Sequence, residues 1–292
     1  MRKLVHMAGA AVALAAGIGW GTGASGAPAG SPSGRSVAAT AQRSSTCSTS
    51  GLSRLLYHAP DLTVATESPS YPPWFVADDP ANGHGFESAM TYALAQRLGI
   101  ARHRVMWVTV PFDASVTPGP KAFDFDVDQI SVTPARARAV SFSRPYYQVD
   151  QALVALKGSR IVTRHSPSQL RRYRYGAQAG TTGLASISLT IKPTHPPVSF
   201  ATLDEAVAAL HAHRIDAVVA DGPTAQHISP SQKVVIAAQI PTGERYALAF
   251  QAHNPLVTCV NRALSALQAN GTLIRLQRQF LGRSVSAPTI KP

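Results

Sequence analysis

The chain contains 292 residues, of which 27 are Lys or Arg and 15 are Asp or Glu, so its formal net charge is +12. The basic residues are scattered along the sequence, and their densest cluster is Arg171, Arg172 and Arg174. A nucleic-acid-binding protein should instead show a basic stripe with interleaved aromatic residues or a known module. The composition therefore argues against nucleic acid as a partner and leaves only a non-specific preference for anionic surfaces.

The first 27 residues have the form of a secretory signal peptide. Arg2 and Lys3 give a positive start, residues 4–20 are apolar and rich in Ala and Gly, and small residues at 24–27 suit a signal peptidase. We therefore predict export and cleavage of this leader, which places the protein outside the cell or at its envelope. The alternative is an uncleaved anchor, although the stretch is short for a spanning helix.

Residues 28–60 are predicted to be a flexible lead-in, because the segment up to Ser50 is rich in Ser, Thr, Ala, Gly and Pro. The rest of the chain is long enough for two lobes of ordinary size. The chain has two cysteines, Cys47 and Cys259. In an exported protein an even count favours a disulfide, and two free thiols are the alternative.

Strands and helices alternate along the remaining sequence, which predicts an α/β protein. The expected strands are 62–66, 105–110, 123–128, 149–156, 175–178, 215–220 and 246–250, with a further short strand towards the end of the segment 123–147. The expected helices are 85–98, a helix opened by Thr133-Pro134, 202–211, one after Asn254-Pro255 and one after Gly271. The continuous apolar run at 215–220 is typical of a parallel strand that is buried on both faces.

The most informative segment is 123–147, FDFDVDQISVTPARARAVSFSRPYY. Alternating apolar and acidic residues at 123–128 predict a strand with one buried face. Thr133 and Pro134 suit the N-cap and the first position of a helix. Free backbone N–H groups at that turn, together with Arg136, would suit a carboxylate.

The run FD, S-V-T-P-x-R and FSRPYY resembles the ligand-binding signature of bacterial extracellular solute-binding proteins, family 3, which serve ABC transporters. Other pieces match in order over roughly 220 residues. The resemblance implies a two-lobed periplasmic-binding-protein-like (type II) fold, with a ligand cleft between lobes that two crossing strands join. It implies a first lobe at 61–148 and 249–283, a second lobe at 149–248, a tail at 284–292, and a disulfide within the first lobe.

The resemblance also implies how the two charges of an amino acid would be held. The carboxylate would contact two strand-to-helix turns and an arginine, which gives Ser131 and Arg136 from the first lobe and Thr182 from the second. Thr181, in the same turn as Thr182, is a further candidate. The ammonium would contact Asp221, which follows an apolar strand at the edge where α/β sheets place ligands. The alternatives are a surface arginine, a threonine that only caps a helix, and an aspartate that only caps its own turn.

Aromatic residues would form the wall of the site. Tyr71 and Trp74 are the candidates, with Phe112 a further one, and ordinary core packing is the alternative for Trp74 and Phe112. Asp128 and Gln129 stand where many family members have small residues.

A further acid, Glu67, lies four positions before Tyr71, whereas the family's acidic residue usually lies three before. Together with Asp126, Asp128 and Gln129, Glu67 could favour a polar or cationic ligand side chain. The alternative is that these residues form a hydrogen-bonded network at the strand ends.

Signals for catalysis are weak, because the sequence has no G-x-S-x-G, no H-E-x-x-H and no nucleotide-binding glycine loop. We therefore predict a binding protein without cofactor or metal, acting as a monomer and delivering an amino acid or analogue to an ABC transporter permease. One alternative is an enzyme similar to cyclohexadienyl dehydratases, with Glu67 or Asp128 as the acid. Another is a ligand sensor.

Overall fold

The computed structural model describes residues 47–228, 233–282 and 285–290. The predicted signal peptide and lead-in residues 28–46 lie outside the described residues. Ten strands of the described part form two five-stranded sheets, with helices packed around them, so the predicted α/β class is confirmed. We call the part around the first sheet the first lobe and the part around the second sheet the second lobe.

The first sheet contains five strands, which are β1 (Leu62–Thr66), β2 (Val105–Thr109), β3 (Phe125–Asp126), β4 (Ser141–Phe142) and β10 (Ala249–Phe250). Their order across the sheet is β2-β1-β3-β10-β4. Strands β1, β2 and β3 are parallel, and β10 runs antiparallel to β3 and β4. All five residues of β1 are buried, as expected of a parallel strand inside a sheet that helices cover.

The second sheet contains β5 (Tyr147–Leu156), β6 (Tyr175–Gln178), β7 (Val198–Phe200), β8 (Ala217–Asp221) and β9 (Val234–Tyr246). Their order across the sheet is β7-β6-β8-β5-β9. Strand β8 is parallel to β6 and antiparallel to β5. The parallel strands β6 and β8 therefore end at the same edge of the sheet, and residues at that edge contact the first lobe.

The α-helices of the described residues cover the two sheets. They are α1 (Thr49–Ser53), α2 (Phe86–Arg97), α3 (Phe112–Val116), α4 (Pro167–Leu170), α5 (Thr182–Ser186), α6 (Leu203–His211), α7 (Gly222–Ile228), α8 (Leu256–Ala269) and α9 (Thr272–Phe280). Helix α2 buries Phe86, Met90 and Leu94 at the predicted helical spacing. No helix in the described ranges is both long and apolar enough to cross a bilayer.

The chain passes between the lobes twice. It leaves β4 and enters β5 at Tyr147, and it returns from β9 through Tyr246 to β10. Tyr147 and Tyr246 are opposite each other where β5 and β9 pair. These two connections confirm the predicted two-lobed fold with paired crossing segments.

Both ends of the described chain pack on the lobes. Residues 47–60 include helix α1, and Leu52 is buried in the core of the first lobe. Residues 47–60 are thus folded, whereas the sequence predicts a flexible lead-in up to residue 60. In the expected tail, Ile290 is buried in the second lobe, and its N–H donates to the carbonyl oxygen of Gln239 (2.8 Å).

A disulfide joins Cys47 to Cys259 on α8, with a Cα–Cα distance of 5.4 Å. This confirms the expected pairing. The bond ties the start of the described chain to a helix of the first lobe, and both cysteines pack with that lobe's core. The order of residues 47–60 therefore has two causes, the covalent tie and the burial of Leu52.

The segment 123–147 differs from its predicted elements. The strand is confined to Phe125–Asp126, and residues 123–128 are all buried, so the acidic residues do not form an exposed face. A single 3₁₀ turn at Arg136–Arg138 replaces the expected helix. Ala135 is at the N-cap position of this turn, and the Thr133 Oγ1 two residues earlier accepts a hydrogen bond from the N–H of Arg136 (3.2 Å). The short turn is followed closely by β4, and the Arg136 side chain is buried.

Candidate functional site

A cavity of about 60 Å³ lies between the two lobes. It is small beside the about 300–1,000 Å³ that is usual for ligand pockets, because side chains of the two lobes meet around it. Both lobes contribute predicted site residues to its lining. These residues are Glu67, Tyr71, Asp128 and Gln129 from the first lobe and Thr181, Thr182 and Asp221 from the second.

Glu67 reaches the cavity because it directly follows β1, at the carboxyl end of a parallel strand. Its Oε2 accepts a hydrogen bond from Nε2 of Gln178 (2.6 Å), the last residue of β6 in the other lobe. Burial raises the pKa of Glu67 to about 7, against the opposing effect of the bond from Gln178 and with a smaller contribution from the Asp126 carboxyl. Near neutral pH this carboxyl can therefore hold or release a proton.

Asp128 and Gln129 follow β3 and both line the cavity. One Asp128 oxygen accepts the backbone N–H of Glu67 (3.2 Å). The Gln129 backbone has φ of 46°, and its N–H and side-chain amide both donate to the carboxyl of Glu87. The predicted hydrogen-bonded network is therefore present at Gln129. Asp126 is buried and its carboxyl bonds to Ser115, away from the cavity lining.

Asp221 is the last residue of β8 and lies both at the cavity and just before α7. Its two oxygens accept the backbone N–H (3.0 Å) and the hydroxyl (2.8 Å) of Thr224. Asp221 therefore caps its own turn, as the alternative predicted, and it also lines the cavity. Burial raises the pKa of Asp221 to about 6, and the Thr224 bonds oppose that shift.

The turn at 180–183 places two threonines at the cavity. Thr181 is the N-cap of α5, because its Oγ1 accepts the N–H of Leu184 (3.2 Å). Thr182 therefore has its own hydroxyl free of that capping role, and both residues line the cavity. Gly180 has φ of 73°, a conformation that glycine adopts at little cost.

Arg136 connects the two lobes through backbone carbonyls. Its Nη1 donates to the carbonyl oxygen of Ser131 (2.8 Å) and its Nη2 to that of Gly180 (2.9 Å). The guanidinium also lies 5.2 Å from the ring centroid of Phe112. Arg136 is buried, so the surface alternative is wrong, but neither Arg136 nor Ser131 is among the residues that line the cavity.

The expected aromatic wall is only partly correct. Tyr71 and Phe112 line the cavity, whereas Trp74 is fully buried in the core of the first lobe and is not part of the lining. The Trp74 ring packs edge-on against three aromatic rings, those of Phe86, Tyr147 and Tyr246. Because burial of so large a ring is strongly favourable, core packing outweighs exposure to a ligand. The prediction of Trp74 as a wall residue is therefore wrong.

Glu244 was not expected at this site. It lies near the end of β9, where it pairs with Val149 and is partly buried. Its Oε2 accepts hydrogen bonds from the hydroxyls of Ser131 and of Thr182 (2.5 Å for the latter). Two hydroxyls predicted to hold a ligand carboxylate thus hold a carboxylate of the chain itself. The sequence signal that could have identified Glu244 is its position as an acidic residue on a segment that crosses between the lobes.

Other polar lining residues were also not predicted from the sequence. Gln151 lies on β5, Gln178 ends β6, and Thr224 lies in the first turn of α7. Tyr246 ends β9 at the crossing between the lobes. Gln178 could have been found, because it ends a parallel strand just before the glycine turn. Tyr246 could not, since a tyrosine on a crossing strand is indistinguishable from a core residue in the sequence.

The model of the bacterial extracellular solute-binding proteins, family 3, matches residues 62–283. The chain belongs to this family. Its members are periplasmic or extracellular binding proteins, and the curated relatives bear the names of amino-acid-binding proteins. A probable histidine-binding protein of Campylobacter jejuni is 27% identical over 223 residues, covering 73% of this chain and 83% of that protein. The ABC transporter arginine-binding protein 1 of Escherichia coli is 26% identical over 225 residues, covering 73% and 88%.

Solved structures confirm the two-lobed fold. An ancestral arginine-binding protein bound to glutamine superimposes with a TM-score of 0.67 and 27% identity, covering 77% of this chain and all of that one. The ancestral amino-acid-binding protein AncCDT-1, a precursor of cyclohexadienyl dehydratase, gives a TM-score of 0.63 and 26% identity, covering 76% and 95%. The same fold therefore occurs in proteins similar to this chain that bind amino acids and in one that precedes an enzyme.

Proposed function

We propose that this protein captures a small zwitterionic solute in the cleft, an amino acid with a cationic side chain, and delivers it to an ABC transporter permease. The observation that carries the proposal is the charge of the cavity lining. Glu67, Asp128 and Asp221 contribute carboxyl groups from both lobes, and no Lys, Arg or His of the described residues is among the lining residues. A cationic group would be attracted by each of these carboxyls in its ionised form.

The curated relatives support the same ligand class, since their names specify histidine and arginine. Binding would favour closure of the lobes, because Asp221 and Glu67 lie on opposite sides of the cleft and can contact one ligand only when it is closed. The closed form would then be recognised by the permease. Export through residues 1–27 and action as a monomer belong to the same proposal.

A titration of the purified protein tests the ligand. Isothermal titration calorimetry against each of the twenty amino acids should give saturable binding for arginine, lysine or histidine, without consumption of the ligand. Saturable binding confined to acidic amino acids would contradict the proposed charge preference. Delivery is tested separately, by uptake of the labelled ligand in cells that lack this gene and in complemented cells.

An enzyme on the same scaffold is the second candidate, because Glu67 has a property that a general acid requires. Its pKa of about 7 keeps part of the carboxyl protonated at neutral pH. The similarity to AncCDT-1 supports the comparison. Incubation with prephenate or arogenate distinguishes the two functions, since only the enzyme would consume these substrates.

A further inference from the structure

The carboxylate of Glu244 is hydrogen-bonded where the two lobes meet. Its donors are the hydroxyls of Ser131, from the first lobe, and Thr182, from the second. The two hydroxyl oxygens are 3.3 Å apart. Each hydroxyl has a single proton to donate, and both donate it to Glu244. A ligand carboxylate would therefore find these donors already used.

The nearby Arg136 already has two of its five N–H groups engaged by backbone carbonyls. Two of its nitrogens donate to the carbonyl oxygens of Ser131 and Gly180. No carboxylate oxygen of the described residues lies within 4.0 Å of its nitrogens. The negative charge of Glu244 still acts on the guanidinium, since burial lowers the pKa of Arg136 and Glu244 opposes that shift. One positive charge is thus matched by one internal negative charge.

The cavity beside this cluster is acidic. Thr182 lines the cavity and also donates its hydroxyl proton to Glu244. The Glu244 carboxylate is therefore adjacent to the cavity, with Thr182 between them. Glu67, Asp128 and Asp221 supply further carboxyls, while the lining within the described residues has no basic side chain. A ligand that brings its own carboxylate would meet repulsion from Glu244, whereas a ligand that is only cationic would not.

We propose that Glu244 is a specificity-determining residue that competes with the ligand's carboxylate, so that the cleft accepts, beside cationic amino acids, amines and guanidines without a carboxylate. The inference rests on the proposed function, because it assumes that the cleft binds a small cationic solute. It refines that function by stating that the cationic side chain of the ligand, more than its carboxylate, determines recognition. The added chemical class is an alkyl amine, diamine or guanidino-amine.

Calorimetry with matched ligand pairs tests the inference. The pairs are L-arginine with agmatine and L-lysine with cadaverine, which differ only in the carboxylate. For the native protein we expect the amine to bind at least as tightly as its amino acid. In Glu244→Ala the hydroxyls of Ser131 and Thr182 become available and the repulsion is removed. The ratio of the two affinities within each pair should therefore shift towards the amino acid by about tenfold or more. Glu244→Gln removes the charge but keeps an acceptor, and should give a smaller shift in the same direction.

Arg245→Gln is the matched control, because Arg245 is the exposed neighbour of Glu244 on β9. It should leave the ratio unchanged, and circular dichroism should show that each variant is folded. If Glu244→Ala leaves the ratio unchanged, or if the native protein prefers the amino acids about tenfold or more, the inference is wrong but the proposed function stands. If no member of either pair binds to any of the folded proteins and histidine does not bind either, both are wrong.

Discussion

The indole N–H of Trp74 donates to the hydroxyl of Thr224 over 2.8 Å, and that hydroxyl donates in turn to the carboxylate of Asp221, also over 2.8 Å. Trp74 belongs to the core of the first lobe, while Thr224 and Asp221 belong to the second. The bond therefore joins the lobes and orients a cleft carboxylate. Trp74 does not line the cavity, and it influences the site through its hydrogen bond to Thr224.

Trp74→Phe should weaken ligand binding by about 1 kcal/mol, or roughly fivefold, because it removes one buried hydrogen bond that exists when the lobes are together. Calorimetry would measure the affinity, and small-angle X-ray scattering would show a more open average form. Trp107→Phe is the control, since the Trp107 indole donates to Tyr92 within the first lobe. An equal loss of affinity in both variants would contradict the role of the bond between lobes.

Arg136→Ala should reduce ligand affinity by about 2 kcal/mol, or roughly thirtyfold. The substitution removes a hydrogen bond between the lobes, the one to Gly180, and leaves the Glu244 carboxylate without its nearby positive charge. Both losses should disfavour the closed form, which we propose to be the form that binds the ligand. Arg138→Ala is a matched control, because Arg138 lies on the same turn but is exposed. Calorimetry that finds equal affinity in the two variants would refute the assignment.

The stability of the free protein should fall as the pH rises from about 4.5 to about 7, because burial raises the pKa of Glu67, Glu87 and Asp126 to about 7 in the folded protein. In this window the folded state binds more protons than the unfolded state, so the free energy of unfolding decreases with increasing pH. The stabilisation is complete below the unfolded pKa values and is lost as the pH passes the folded ones. Thermal unfolding at constant ionic strength would measure the slope.

Glu87→Gln provides the comparison for this pH dependence. It removes one of the raised carboxyls and retains a side chain that can still bond to Tyr146 and Gln129. The melting temperature of this variant should fall less steeply over the same pH range. A slope as steep as that of the native protein would show that Glu87 does not contribute to the effect.

Loss of the disulfide should destabilise the protein by up to about 5 kcal/mol in the chain-entropy model, because the bond spans 212 residues. The double variant Cys47→Ser/Cys259→Ser removes the bond without leaving an unpaired thiol. Denaturant unfolding would measure the free energy of unfolding. A reductant should lower this free energy for the native protein by the same amount as the double substitution does. Equal stability under all these conditions would contradict the prediction.

Several elements of the site could be predicted because their positions follow from short stretches of sequence. Asp221 ends an apolar strand, and Glu67 directly follows another, so the geometry of parallel strands places both at the cleft edge. The glycine turn before Thr182 and the Thr-Pro turn before Arg136 are local patterns of the same kind. Local patterns of this kind place a residue near the cleft without specifying what its side chain contacts there.

Other features depend on contacts between distant residues. Trp74 and Tyr71 are three positions apart in one loop, yet only the packing of the first lobe decides that Trp74 is buried and Tyr71 lines the cavity. The folded state of residues 47–60 depends on Cys259, which lies 212 positions after Cys47. Composition alone cannot reveal such a tie.

The sequence by itself determined the α/β class, the family and the residues at the ends of the strands, because these follow from periodicity and from motifs that lie close together in the chain. Only the tertiary structure decided what the carboxylate donors contact. Glu244 lies 113 residues from Ser131 and 62 from Thr182, and it meets both because two crossing segments pair where the lobes join. A hydroxyl with one proton can serve one acceptor at a time, so that long-range meeting determines which anion these donors hold.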